Sequence, residues 1–177
     1  VSGDPGTIAV ADKLLLPGVG AFDAGMTSLR DSGLVDLLRL RVDEGVPILG
    51  ICLGMQLLFD SSEEGVETGL RLIPGVVRRL PEHSPSGSVR IPHMGWSRLE
   101  HYRPHRLTEG IGEEARYYFV HSYAAIPEHD GDIIGISTHG TRFVSAVARE
   151  NVLGVQFHPE KSHRYGKALL GNFLRGS

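Results

Sequence analysis

The chain has 177 residues, of which 41% are hydrophobic and 22% charged, as in a globular domain with a real core. A net charge of −3 excludes a general pull toward nucleic acid or an anionic membrane, and no apolar run approaches the ~20 residues of a membrane span. A single cysteine excludes an internal disulfide and fits a reducing, cytoplasmic setting.

In chain order, apolar runs predict strands at 14–17 (LLLP), 47–51 (PILGI), 117–124 (YYFVHSYA), 133–137 (IIGIS), 143–148 (FVSAVA) and 152–157 (VLGVQF). Between the first two lies a helical pattern. Asp23 is its candidate N-cap, and Leu34, Leu37 and Leu38 share one face. The tripeptide DSG at 31–33 interrupts it, and Gly45 and Pro47 stop it. Residues 81–92, rich in Pro, Ser and Gly, predict a surface loop. Ser162 is a candidate N-cap for a terminal helix with Gly166, Leu169, Leu170 and Phe173 on one stripe. The strand–helix–strand–helix front half implies a parallel sheet with right-handed crossovers, so the class is α/β. The closer strands of the back half imply an antiparallel part. No secretory signal, repeat or domain boundary is visible, and residues 1–177 read as one domain.

The single thiol sits in GICLG at 50–54, between an apolar run and a helix-like segment. Glycines two before and two after let the chain turn sharply from strand to helix, the logic of G-x-S-x-G with sulfur in place of oxygen. Cys52 then lies at a helix N-terminus, which favours a thiolate, and the N–H of Leu53 can serve an oxyanion hole. On the pentapeptide alone an inert, buried Cys52 stands equally open.

A thiol nucleophile needs a base, and the base an orienting group. In GVQFHPEKS at 154–162, His158 closes an apolar strand and Glu160 lies two residues on. In extended geometry both side chains point to one side. Pro159 forbids a helix there. Alone, this is a strand-end histidine beside a solvated glutamate; beside an elbow cysteine, the catalytic reading is stronger. LPGVGAF at 16–22 ends a strand with two glycines around Val19 and can present backbone N–H groups, although a lone GVG is weak evidence.

Taken together, LPGVGAF, GICLGMQLLF, PHMGW, YFVHSY and GVQFHPEKS resemble the class I glutamine amidotransferases, and within them the glutaminase subunits of imidazole glycerol phosphate synthase. The likeness runs in order from Asp12 to Leu174. It implies a flavodoxin-like α/β fold and a Cys-His-Glu triad of Cys52, His158 and Glu160. It implies backbone oxyanion donors at Val19 and Leu53, and Gly20, Gln56, Ser122 and Tyr123 as residues that hold glutamine. His121 is a further candidate for the pocket lining. No cofactor or metal is implied. The implied partner is a (β/α)₈ barrel cyclase that receives the ammonia in histidine biosynthesis, with Trp96 and Lys161 at the contact. On its own residues Trp96 can equally be a core aromatic.

Three features depart from the pattern. The family places a strand, a glycine-bearing turn and a helix, about thirty residues, ahead of Asp4 and Pro5. Ser97 stands where Asn is frequent after PHMGW. The segment KSHRYGKALLGNFL is closer to a sister branch that supplies ammonia for amidino-sugar formation in surface polysaccharide.

Other classes are weaker. A non-catalytic partner-binding module does not need the three triad residues. A cysteine peptidase does not need PHMGW. A metal site is poorly served by His101 and His105 around Pro104. Seven arginines between Arg71 and Arg106, against Glu82 and Glu100, are too scattered for a nucleic-acid face and suit a solvated or partner-facing surface, with Arg78 and Arg79 as candidates.

Overall fold

The computed structural model describes residues 2–85 and 87–176. A short helix α1 (Pro5–Ala9) precedes strand β1 (Leu14–Gly18), helices α2 (Phe22–Asp31) and α3 (Leu34–Asp43), strand β2 (Ile48–Cys52) and the brief helix α4 (Leu53–Leu57). Strands β3 (Ser61–Ser62), β4 (Gly75–Arg79), β5 (His83–Ser84), β6 (Gly87–Ser88), β7 (His93–Arg98) and β8 (Glu100–His101) follow. The chain continues through β9 (Arg116–His121), β10 (Tyr123–Pro127), β11 (Ile133–His139), β12 (Thr141–Arg149), β13 (Val152–Val155) and the terminal helix α5 (His163–Arg175).

The main sheet runs β1-β2-β13-β12-β10-β4-β3, with β11 on β12 and β8 on β11. Pairings β1/β2 and β2/β13 are parallel; β13/β12, β12/β10 and β10/β4 are antiparallel. The expected division into a parallel front and an antiparallel back is therefore present. Neighbouring residues of β2 enter different cores: Ile48 packs with Phe22, Met26 and Leu38 of α2 and α3, while Leu49 packs with Tyr117, Phe157 and Phe173. This two-sided burial explains why β2 reads as a continuous apolar run rather than an alternating one.

The helical pattern breaks where expected. Gly33 caps α3 in the left-handed region at φ 70°, open to glycine without steric cost. Along α3, Leu34, Leu38 and Val42 form the buried stripe, one helical turn apart, and Leu37 packs only at its margin.

Several expectations need correction. Asp23 does not cap α2; Ala21 holds that position, and the Asp23 carboxylate instead accepts hydrogen bonds from the backbone of Val66 and Glu67. Residues 117–124 are not one strand. The chain turns at Ser122, so β9 pairs with β7 in a separate two-stranded sheet while β10 joins the main sheet. Strands β4 and β7 were not expected, because GVVRR and HMGWSR mix charged and apolar side chains on half-exposed surface. The loop at 81–92 contains the small β5/β6 pairing. Ser162 precedes α5, but its hydroxyl makes no cap; it donates to His158 O at 2.6 Å and accepts from Tyr118 N at 3.0 Å.

Candidate active site

Cys52 ends β2 and α4 begins at Leu53, so the thiol stands on the expected elbow. Its backbone lies at φ 56° and ψ −113°, a conformation that costs a non-glycine residue about 1–3 kcal/mol. Both flanking glycines are required by close approach. A Cβ on Gly50 would lie 2.6 Å from the carbonyl oxygen of Gly54, and one on Gly54 would lie 1.7 Å from that of Leu16.

The parallel register sets Val155 of β13 beside Ile51 of β2, which carries the segment after β13 past Cys52. His158 follows, 2% exposed, with its N–H bonded to Tyr118 O at 2.9 Å. Residues Pro159–Lys161 form a 3-10 turn, not the extended strand end expected. The turn still brings Glu160 back to His158, whose Nδ1 lies 2.7 Å from Glu160 Oε1. The carboxylate accepts that proton and leaves Nε2 with a free lone pair. Nε2 is buried and has no hydrogen-bond partner among the described residues.

Cys52 and His158 line one cavity of about 290 Å³, together with Val19, Gly20, Leu53, Gln56, Ser122 and Tyr123. All the expected oxyanion and substrate residues therefore meet at the thiol, and His121 joins them as anticipated. Glu160 supports the site from behind His158. Trp96 and Lys161 lie outside the cavity, on a surface patch where both contact the ring of Tyr118. Trp96 is 45% exposed and stacks on His163 at 5.4 Å, so it is not a core aromatic. Arg78 and Arg79 are engaged by Glu63 and Glu82.

Glu64, Pro92, Val120 and Gln156 were missed. The first three also line the cavity, and Glu64 accepts from Phe22 N at 2.8 Å. Gln156 lies beside the thiol, its Nε2 3.8 Å from Sγ. A polar residue inside the apolar run VLGVQF was the available signal for it.

Burial pushes the Cys52 thiol up to about 11; the N–H of Leu53, Lys161 and Gln156 favour the thiolate, while Glu160 opposes it. The helix-terminus argument is thus outweighed: α4 is a five-residue helix and the thiol is 7% exposed. Burial thus favours the protonated sulfur at neutral pH.

Two further histidines support the far wall. His121 Nδ1 lies 2.8 Å from Tyr123 O, an acceptor, so it carries the proton. Its Nε2 then accepts from His93 Nδ1 at 3.1 Å, and His93 Nε2 accepts from Ser97 Oγ at 2.9 Å. This pattern requires both rings neutral. Burial lowers His93 to about 4 and His121 to about 3, with His139, stacked 4.2 Å from His93, adding to both shifts.

Comparison with known proteins agrees with this geometry. The family model "Glutamine amidotransferase class-I" matches residues 7–176. A relative from Moorella thermoacetica named imidazole glycerol phosphate synthase subunit HisH is 47% identical over 98% of this chain and 80% of its own length. One from Methanococcus maripaludis, named subunit HisH 2 of the same synthase, is 45% identical over 99% and 86%. Among solved structures, one described as a glutamine amidotransferase matches with a TM-score of 0.68 at 23% identity, covering 96% of this chain and 85% of that one. The glutaminase domain of Trypanosoma brucei CTPS with bound acivicin matches at 0.63 and 16% identity, over 98% and 75%. At these identities the structures speak for the fold. The chain belongs to the class-I glutamine amidotransferase family, alongside the HisH subunits of imidazole glycerol phosphate synthase.

Proposed function

We propose that this protein hydrolyses glutamine to glutamate and ammonia through a thioester on Cys52, and hands the ammonia to a (β/α)₈ barrel cyclase in histidine biosynthesis. The observation that carries the reading is the convergence of an elbow thiol and a carboxylate-oriented histidine on one amino-acid-sized cavity.

In this reading His158 Nε2 takes the thiol proton as Sγ attacks the side-chain amide carbon of glutamine. The proton transfer accompanies attack, because the buried thiol does not ionise in advance. The N–H groups of Leu53 and Val19 receive the developing oxyanion, a contribution of about 3 kcal/mol or more. His158 returns its proton to the departing nitrogen, ammonia leaves, and a γ-glutamyl thioester remains. Water, deprotonated by His158, attacks that thioester; glutamate departs and the thiol reforms. Glu160 keeps the Nδ1 proton in place throughout. Glu64 in the cavity wall suits the α-ammonium of the substrate, while Gly20, Gln56, Ser122 and Tyr123 enclose the rest.

The patch bearing Met94, Trp96, Tyr118 and Lys161 is the proposed docking face, and a reducing, cytoplasmic compartment the proposed setting. The relatives' shared name, a synthase subunit, supports a two-component enzyme.

The test is glutamate release from glutamine, alone and with the histidine-pathway cyclase carrying its nucleotide substrate. Stimulation by that cyclase, lost in Cys52→Ala, is expected. Activity retained in Cys52→Ala would overturn the thioester. No stimulation by a cyclase shown to bind would overturn the pathway and favour the surface-polysaccharide branch.

A further inference from the structure

Gln156 is 0% exposed, directly after β13. A buried amide is costly unless its polar atoms are satisfied, and an apolar side chain of equal length would fill the space as well. Its partners define its orientation. Gln56 directs its Nε2 at the carbonyl oxygen of Tyr123, 3.1 Å away, which can only accept. The same Nε2 lies 3.0 Å from Gln156, so the atom presented there must be the oxygen, Oε1. The amide nitrogen of Gln156 is thereby turned to Cys52 Sγ, at 3.8 Å.

We infer that Gln156 is a positioning residue for the thiol chemistry: its N–H holds the Cys52 sulfur and stabilises the negative charge that gathers on it, while Gln56, in the cavity wall, fixes the direction of that N–H. The inference rests on Cys52 being the nucleophile. In the empty cavity the N–H of Leu53 also favours the thiolate; once that N–H turns to the substrate oxygen, Gln156 is the donor left at the sulfur. It also links substrate contact to the nucleophile, since a ligand that engages Gln56 is felt at sulfur through two hydrogen bonds. The charges facing the sulfur are Glu160, which opposes the thiolate, and Lys161, which favours it. His158, His121 and Glu64 share the cavity.

The chain has one cysteine, so S-alkylation, read by mass on the peptide that holds it, reports Cys52. The pH profile of iodoacetamide alkylation is measured on the full chain and on Gln156→Met, with thermal unfolding as a check on folding. Met removes donor and acceptor at equal length and reads the midpoint; Glu keeps an acceptor for Gln56 but adds a carboxyl of its own, so it is used for the kcat against KM comparison. In Gln156→Met the midpoint should rise by about one pH unit or more, with a ~10-fold slower reaction at fixed pH below it. In Gln156→Glu, kcat for glutamine should fall with little change in KM, since the Gln56 contact survives. An unchanged midpoint in folded Gln156→Met overturns the inference. Should a variant not fold, the side-chain amide ¹⁵N resonance of Gln156 in the unaltered chain decides: it should move as the thiol titrates, and a resonance blind to that titration overturns the inference equally. Glutamine hydrolysis surviving in Cys52→Ala would instead remove the underlying reading of Cys52, whatever the alkylation profiles show.

Discussion

The wall that carries Cys52 and the wall that carries His121 face one cavity, yet they are held in different ways. On the first, β2 lies between two parallel neighbours, and backbone packs on backbone so closely that Gly50 and Gly54 cannot bear a side chain. On the second, β7 and β9 form a separate two-stranded sheet whose inner face holds His93 and His121, joined by a hydrogen bond that His121 accepts only while its own ring is neutral. The first wall is held by backbone packing and is intolerant of added volume. The second tolerates exposure on its outer face but depends on protonation state. Rigid positioning of the proposed nucleophile and an acid-sensitive support therefore coexist within one pocket.

Four perturbations sharpen this contrast. The largest effect is expected from Cys52→Gly. Glutamine hydrolysis should fall by about 10⁶-fold, as when a nucleophile is deleted, while relief of the φ 56° strain should raise stability by about 1 kcal/mol in urea titration. A stability loss would mean that the elbow is not strained. Next, Glu160→Gln should lower kcat by about 10³-fold or more, with stability changed by less than ~0.5 kcal/mol, because the carboxylate is 53% exposed. Third, Gly54→Ala should cost about 4 kcal/mol or more, since its Cβ would meet Leu16 O at 1.7 Å; denaturant midpoints read this, and a mild loss would show that the wall can relax.

The last perturbation acts on the histidine wall, through pH. Both rings have folded values below the ordinary 6.5, so the unfolded chain binds more protons as pH falls. Their contribution is complete above pH 6.5 and declines toward the folded values of about 4 and 3. At pH 5 the loss should be about 2 kcal/mol for each ring. Unfolding free energies measured from pH 7 to 5 should show this slope, and His93→Gln should flatten it. An unchanged slope in that variant would place the acid sensitivity elsewhere.

Much of the elbow wall was legible in the sequence, and less of the histidine wall. An apolar run ending in G-x-C-x-G declares both a buried strand and a sharp turn, since each feature is local. The corner at Ser122 is not local: YYFVHSYA has no glycine or proline to mark it, and only pairing with β7 on one side and β4 on the other separates it into two strands. The same holds for His93 and His121, whose contact joins residues 28 apart. The convergence of Cys52, His158 and Glu160 was legible as residue types, but its route was not. Extended geometry would also have set His158 beside Glu160, and a 3-10 turn reaches the same contact. The helix-terminus argument for Cys52 failed on burial, which a sequence does not display.

The raised proton affinity of Cys52 has a consequence beyond turnover. Peroxides oxidise thiolates far faster than thiols, and the first product, a sulfenic acid, leads on to irreversible forms. A sulfur that keeps its proton until a substrate occupies the cavity is a slow target for such oxidants. On the proposed mechanism, the one thiol of the chain is therefore a slow target for peroxide while the cavity is empty.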